Sequence, residues 1–148
     1  MSVTTLSGCT YYKNYHKQIY NDTSEIIKQD DIYTYKDRVG ETTKREANIE
    51  YGTFNGMETI WKFKSEGKGS ITIDFNSKLN KGKFKCLLIN PKNKVKNIFK
   101  QSEEGLINKS NLKINLEKGT YRLKVVGKGA GGEVTLKIKD SENVIITK

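Results

Sequence analysis

An all-β fold, an antiparallel two-sheet sandwich, is the architecture this sequence predicts. Three observations carry it. From about Glu41 the apolar residues recur with a period of two, the mark of strands with one face in a core and one in water. Short clusters of turn-forming residues separate the alternating runs, as in sandwiches and barrels. No helical stripe of comparable length lies between them. A closed barrel is the alternative, because even strand counts suit both.

The chain divides into residues 1–9, a tether or partly docked segment at 10–44 and a β-sandwich domain at 45–148. The 148 residues are enough for one domain that buries most of its unfolded surface. Residues 10–44 hold six of the eight tyrosines and few aliphatics. Tyr12, Tyr15, Ile19 and Ile26 make a weak helical stripe, and Asp22-Thr23-Ser24-Glu25 has capping-box spacing. Ile32-Tyr33-Thr34-Tyr35 reads as a short strand, and the segment as a whole as a tether with little regular structure.

In the domain, Trp61 and Phe63 share one face while Lys62 and Lys64 take the other. Ile71, Ile73 and Phe75 follow the same rule, as do Phe84, Cys86 and Leu88. Leu112, Ile114 and Leu116 alternate with Lys113 and Asn115. Tyr121, Leu123 and Val125 point inward, with Arg122 and Lys124 expected to face water. Val134, Leu136 and Ile138 complete the predicted core, and Val144-Ile145-Ile146 closes the chain. The breaks fall at Ser65–Gly69, Asn80–Gly82, Lys118-Gly119, Gly127–Gly132 and Asp140–Asn143. Asn90-Pro91-Lys92-Asn93 has the residues of a type I turn joining a hairpin.

The formal charge is +10, and all of it belongs to residues 41–148. Positions 78–100 carry eight lysines and no acidic residue. Lys83 and Lys85 on one strand, with Lys94, Lys96 and Lys100 on its partner, are expected to share a solvent face across the Asn90-Pro91 turn. Such a field attracts polyanions. Arginine, the residue of bidentate phosphate and base recognition, occurs three times, which argues against specific nucleic-acid reading.

Leu6-Ser7-Gly8-Cys9 matches the lipobox of bacterial lipoproteins. The resemblance implies cleavage before Cys9, attachment of lipid to its thiol, and a place on the outer face of the cytoplasmic membrane. The segment upstream lacks a basic region and a full apolar region, so residues 1–9 read as the remnant of a signal peptide. With Cys9 lipidated, Cys86 is left alone, and its place beside Phe84 and Leu88 suits a buried thiol.

The runs Thr59–Phe63, Gly69–Phe75 and Gly119–Val125, the last followed by a glycine-rich turn, resemble the jelly-roll or pre-peptidase-type sandwiches of secreted bacterial proteins. With the lipobox, the chain is similar to small surface lipoproteins of low-GC Gram-positive bacteria. The fold itself implies no function.

Several chemistries lack their residues. One histidine and two distant cysteines do not make a zinc site. The glycine-rich Gly127–Gly132 precedes a strand and is no phosphate loop. A histidine-dependent serine triad has no histidine in the domain. The expectation is therefore no enzyme, no cofactor and no metal. What remains is a non-catalytic surface binding module whose lysine hairpin meets an anionic wall polymer or lipid head group. A structural or protein-interaction lipoprotein is the first alternative. A carbohydrate-binding module using Tyr51 or Trp61 as a stacking platform is the second.

Overall fold

The computed structural model describes residues 14–148. Cys9 and the lipobox, with Tyr11 and Tyr12, lie outside the described residues. Six antiparallel β elements follow the short helical turns of residues 14–26: β1 Ile32–Lys36, β2 Val39–Thr42, β3 Glu46–Ile89, β4 Val95–Gln101, β5 Gly105–Leu116 and β6 Gly119–Thr147. Two of them are far longer than one strand, because each bends from one layer into the next, or turns back, without losing its ladder.

The registers resolve this network into two five-stranded layers. In the first, β4 pairs with residues 83–89 of β3, these with 122–128 of β6, those with 53–63 of β3, and the last with β1. In the second, β5 pairs with residues 69–79 of β3, these with 132–142 of β6, those with 46–51 of β3, and the last with β2. The order is the same in both layers because each path crosses the same corner. The sheet folds over at 37–38, at Gly52, at 80–82, at 129–131 and at 102–104. Residues 144–147 pair with 62–65 and extend that edge past the end of β1.

Gly82 and the Gly129–Gly132 glycines, predicted as turns, stand at this corner, and the first shows why. Gly82 has φ +73°, and a Cβ there would run into the backbone carbonyl of Gly129 on the neighbouring strand. Only a residue without a side chain lets the two bent strands lie so close.

The alternating residues meet between the layers. Phe75 of the second layer stacks on Phe99 of the first at 4.5 Å, and Tyr51 stacks on Phe84 at 5.2 Å. Around them lie Trp61, Phe63, Ile71, Ile73, Cys86, Leu88, Leu123, Val125, Val134 and Leu136, all buried. Leu112 is half-buried at the margin of the same core. The Asn90–Asn93 turn closes through Asn93 N–H to Asn90 O at 2.9 Å, and Asn90 Oδ1 also accepts from the N–H groups of Lys92 and Lys94.

The outer face of the first layer departs from expectation. Met57, Leu87, Ile89 and Val126 form a second apolar cluster there with Ile19, Tyr20 and Ile26. Residues 14–31 therefore lie on the sheet. Asp22 caps the short helix Thr23–Ile26 by accepting from Glu25 N–H at 3.3 Å. Arg122 and Lys124, expected in water, are covered by this segment and are 4% and 0% exposed. Arg122 donates to the carbonyls of Ile27 and Lys28 at 2.8 and 2.7 Å, and Lys124 donates to Lys28 O at 2.7 Å. The period of two placed both side chains on the outer face. What covers that face comes from about 95 residues away in sequence.

Candidate functional site: a lysine surface at the fold-over corner

Antiparallel register puts directly opposed residues on one face at short range. Lys85 of β3 stands opposite Lys100 of β4, and Lys83 of β3 opposite Lys128 of β6. Lys83 and Lys85 point outward, because Phe84 and Cys86 between them point into the core. Two like-charged pairs therefore cross three neighbouring strands on the outer face of the first layer. Like charges directly opposite destabilise a sheet.

The predicted lysines do not all belong to this face. Lys85 is half-buried: its Nζ donates to Tyr20 O at 2.7 Å and lies 4.4 Å from the Tyr20 ring centre. Burial first, and the charge of Lys100 second, lower its pKa. Its main contact holds the N-terminal segment down. Lys96 stands opposite Leu88, whose side chain is in the core, so Lys96 is on the inner side of the edge strand, exposed at its rim. The bulge between Cys86 and Leu87 supplies the reason, since it puts an extra residue into β4 between Lys100 and Lys96. Lys94 is exposed beside the turn. The expected single face is thus split.

The face continues over residues the sequence did not single out. At the corner a cavity of about 380 Å³ is lined by Lys17, Thr34, Lys36, Thr53, Asn55 and Lys81, with Gly129 at its edge. Thr34 stands opposite Asn55 and Lys36 opposite Thr53, so β1 and β3 present them together. Lys81 Nζ donates to Thr53 Oγ1 at 2.9 Å, and Asn55 Oδ1 accepts from Gly129 N–H at 2.6 Å. The alternation of Lys36 and Thr34 with Tyr35 and Tyr33 was the one available signal, since Tyr35 stacks on Phe54 of the core at 4.3 Å. Lys17 had no such signal.

Neither proposed sugar platform offers a ring to solvent. Trp61 is fully buried and its Nε1–H donates to Thr43 O at 2.7 Å. Tyr51 is 3% exposed and packed on Phe84. Both are core residues because their phase matches Phe63 and Ile49. Cys86 is likewise buried, and burial pushes its thiol pKa up. Among the described residues no three His, Cys, Asp or Glu side chains gather in one place, and no helix is long and apolar enough to cross a membrane.

No family model matches the chain, and no curated protein matches it. Among solved structures, the enzymatically active domain of tailspike protein 4 of bacteriophage CBA120 is similar over 86% of this chain, with 11% identity and a TM-score of 0.40. The chain spans 20% of that protein's length. A family 35 carbohydrate binding module from an environmental isolate matches 78% of this chain and 81% of its own, at 10% identity and TM-score 0.36. A mutant of CBM29-2, a family 29 carbohydrate binding module, matches 80% and 81% at 15% identity and TM-score 0.35. At these scores the likenesses assign no ligand to this chain.

Proposed function

We propose that the chain is a non-catalytic binding module that takes an anionic polymer along the outer face and corner of its first layer. One observation carries this reading: Lys83–Lys128 and Lys85–Lys100 are directly opposed pairs with no carboxylate in either register. A sheet that only needed solubility is better served by alternating signs, because opposed like charges cost stability. A polyanion lying across the strands relieves that repulsion and releases counterions. The lipid anchor on Cys9 belongs to the same reading and rests on Leu6-Ser7-Gly8-Cys9. It would hold the domain at the outer face of the cytoplasmic membrane, near wall polymers.

The test is titration of the protein with long-chain polyphosphate at low and high salt. Affinity is expected to fall steeply as the screening length shrinks from about 10 Å at 0.1 M to about 3 Å at 1 M salt. Reversing Lys83, Lys100 and Lys128 to Glu should abolish binding, while the same change at Lys94 and Lys96 should weaken it less. Equal affinity of both variants and the wild type sinks the reading. For the anchor, the native protein is extracted in detergent and weighed intact; a mature chain without lipid on Cys9 overturns it.

A further inference from the structure

The cavity at the corner differs from the flat lysine rows beside it, because its lining carries almost only donors. Lys17, Lys36 and Lys81 bring ammonium groups, and no carboxylate or aromatic ring lines it. Asn55 is buried, and its carbonyl oxygen is already taken by Gly129 N–H. Its Nδ2 is a donor. Thr53 Oγ1 accepts from Lys81, which leaves the Thr53 hydroxyl proton to donate. Thr34 Oγ1 is paired with His16 Nδ1 at 2.5 Å.

A neutral sugar needs acceptors for its hydroxyls and an apolar platform for its ring. This cavity has no ring platform, and its polar atoms are mostly donors. A planar carboxylate is matched best by the fork of arginine, and no arginine lines the cavity. Three point charges with an amide and hydroxyl donors suit an anion with several oxygens in a tetrahedral array. We propose that this cavity is a subsite for one phosphate ester of the bound polymer, with Lys36 and Lys81 as its main cations and Asn55 and Thr53 as its neutral donors. The proposal rests on the polymer-binding reading and adds a defined unit to it. The cavity's size fits a phosphate with the polyol or sugar that carries it, at the low end of small-ligand sites. One of its walls, Lys17, belongs to the docked N-terminal segment, and His16 of that segment meets the Thr34 hydroxyl.

The experiment uses the full chain labelled with ¹⁵N. It is titrated separately with sn-glycerol 3-phosphate, with methyl glucuronide as a carboxylate control, and with long-chain polyphosphate. Glycerol 3-phosphate should shift the amides of Thr34, Lys36, Thr53, Asn55 and Gly129, and the glucuronide should not. Lys36→Gln with Lys81→Gln should lose about tenfold in glycerol 3-phosphate affinity, while Lys94→Gln with Lys96→Gln stays within about twofold. Polyphosphate binding without any glycerol 3-phosphate shift in the cavity overturns the subsite and leaves the polymer reading standing. No polyphosphate binding overturns both. A final arm offers vesicles of phosphatidylglycerol in phosphatidylcholine. Capture on vesicles that glycerol 3-phosphate does not compete away overturns the subsite in favour of a membrane surface.

Discussion

Lys124 Nζ lies 3.4 Å from Asp31 Oδ1 beneath the N-terminal segment, with the lysine side chain fully buried and the aspartate about a quarter exposed. Asp31 also accepts from the backbone N–H and the hydroxyl of Thr59, both at 2.8 Å. The pair therefore ties three parts of the chain together: the segment, β3 and β6. Removing the anion leaves a cation in a dry place. Asp31→Ala should cost about 3 kcal/mol in denaturant unfolding, within the usual cost of breaking a buried pair. Arg38→Ala, which removes a partly exposed pair with Glu58, should cost about 1 kcal/mol or less. Equal losses would show that Lys124 is satisfied by Lys28 O alone.

Cys86 gives a pH dependence whose sign follows from burial. Its thiol pKa is raised in the folded state, while in the unfolded chain it titrates near about 8.5. Above that value the unfolded state loses a proton that the folded state keeps. Stability should therefore fall as pH rises above the unfolded thiol value, with a limiting slope of about 1.4 kcal/mol per unit. Lys85 and Lys124, lowered by burial, act in the opposite direction nearer the lysine range. Urea midpoints of the wild type and Cys86→Val between neutral pH and pH about 9.5 check this. The variant should lack the decline.

Trp61 is the single tryptophan and reports on the core. Its emission should be blue-shifted, poorly quenched by acrylamide and unchanged by neutral glycans. Trp61→Phe removes the N–H that meets Thr43 O and leaves a small cavity where the larger ring stood, at a cost of about 1 to 3 kcal/mol. Glycan-induced change in the emission would restore the sugar-platform reading.

The corner sets a sharp contrast between two neighbouring glycines. Gly82→Ala puts a methyl group into the backbone of Gly129, and it also forces a left-handed conformation. Unfolding should be easier by about 3 kcal/mol or more. Gly129 has φ +56° with open space around it, so Gly129→Asn should cost under about 1 kcal/mol, since Asn tolerates that region. Thermal unfolding of the two variants measures the difference.

Much of the fold was legible because a strand writes its facing into its sequence. Period alone puts Trp61, Phe63, Ile71, Ile73, Leu123 and Leu136 inward, and they are buried. The same period cannot say what lies on the other face. Arg122 and Lys124 alternate as a water-facing pair would, yet residues 14–31 cover them.

The basic site shows the same division. The run of lysines between 78 and 100 was plain in the sequence, and so was its hairpin. How those charges group depended on a bulge after Cys86 and on strands that are distant in sequence. Lys128 reached Lys83 through β6, and Lys36 reached Lys81 through β1 and the folded corner. Charge follows from composition, and the strands, turns and inward faces from residues within a few positions of one another, so the sequence alone carries them. Tertiary structure alone decided which lysines share a surface and which lie buried. Register, bending and the docked segment are long-range matters that local periodicity does not encode.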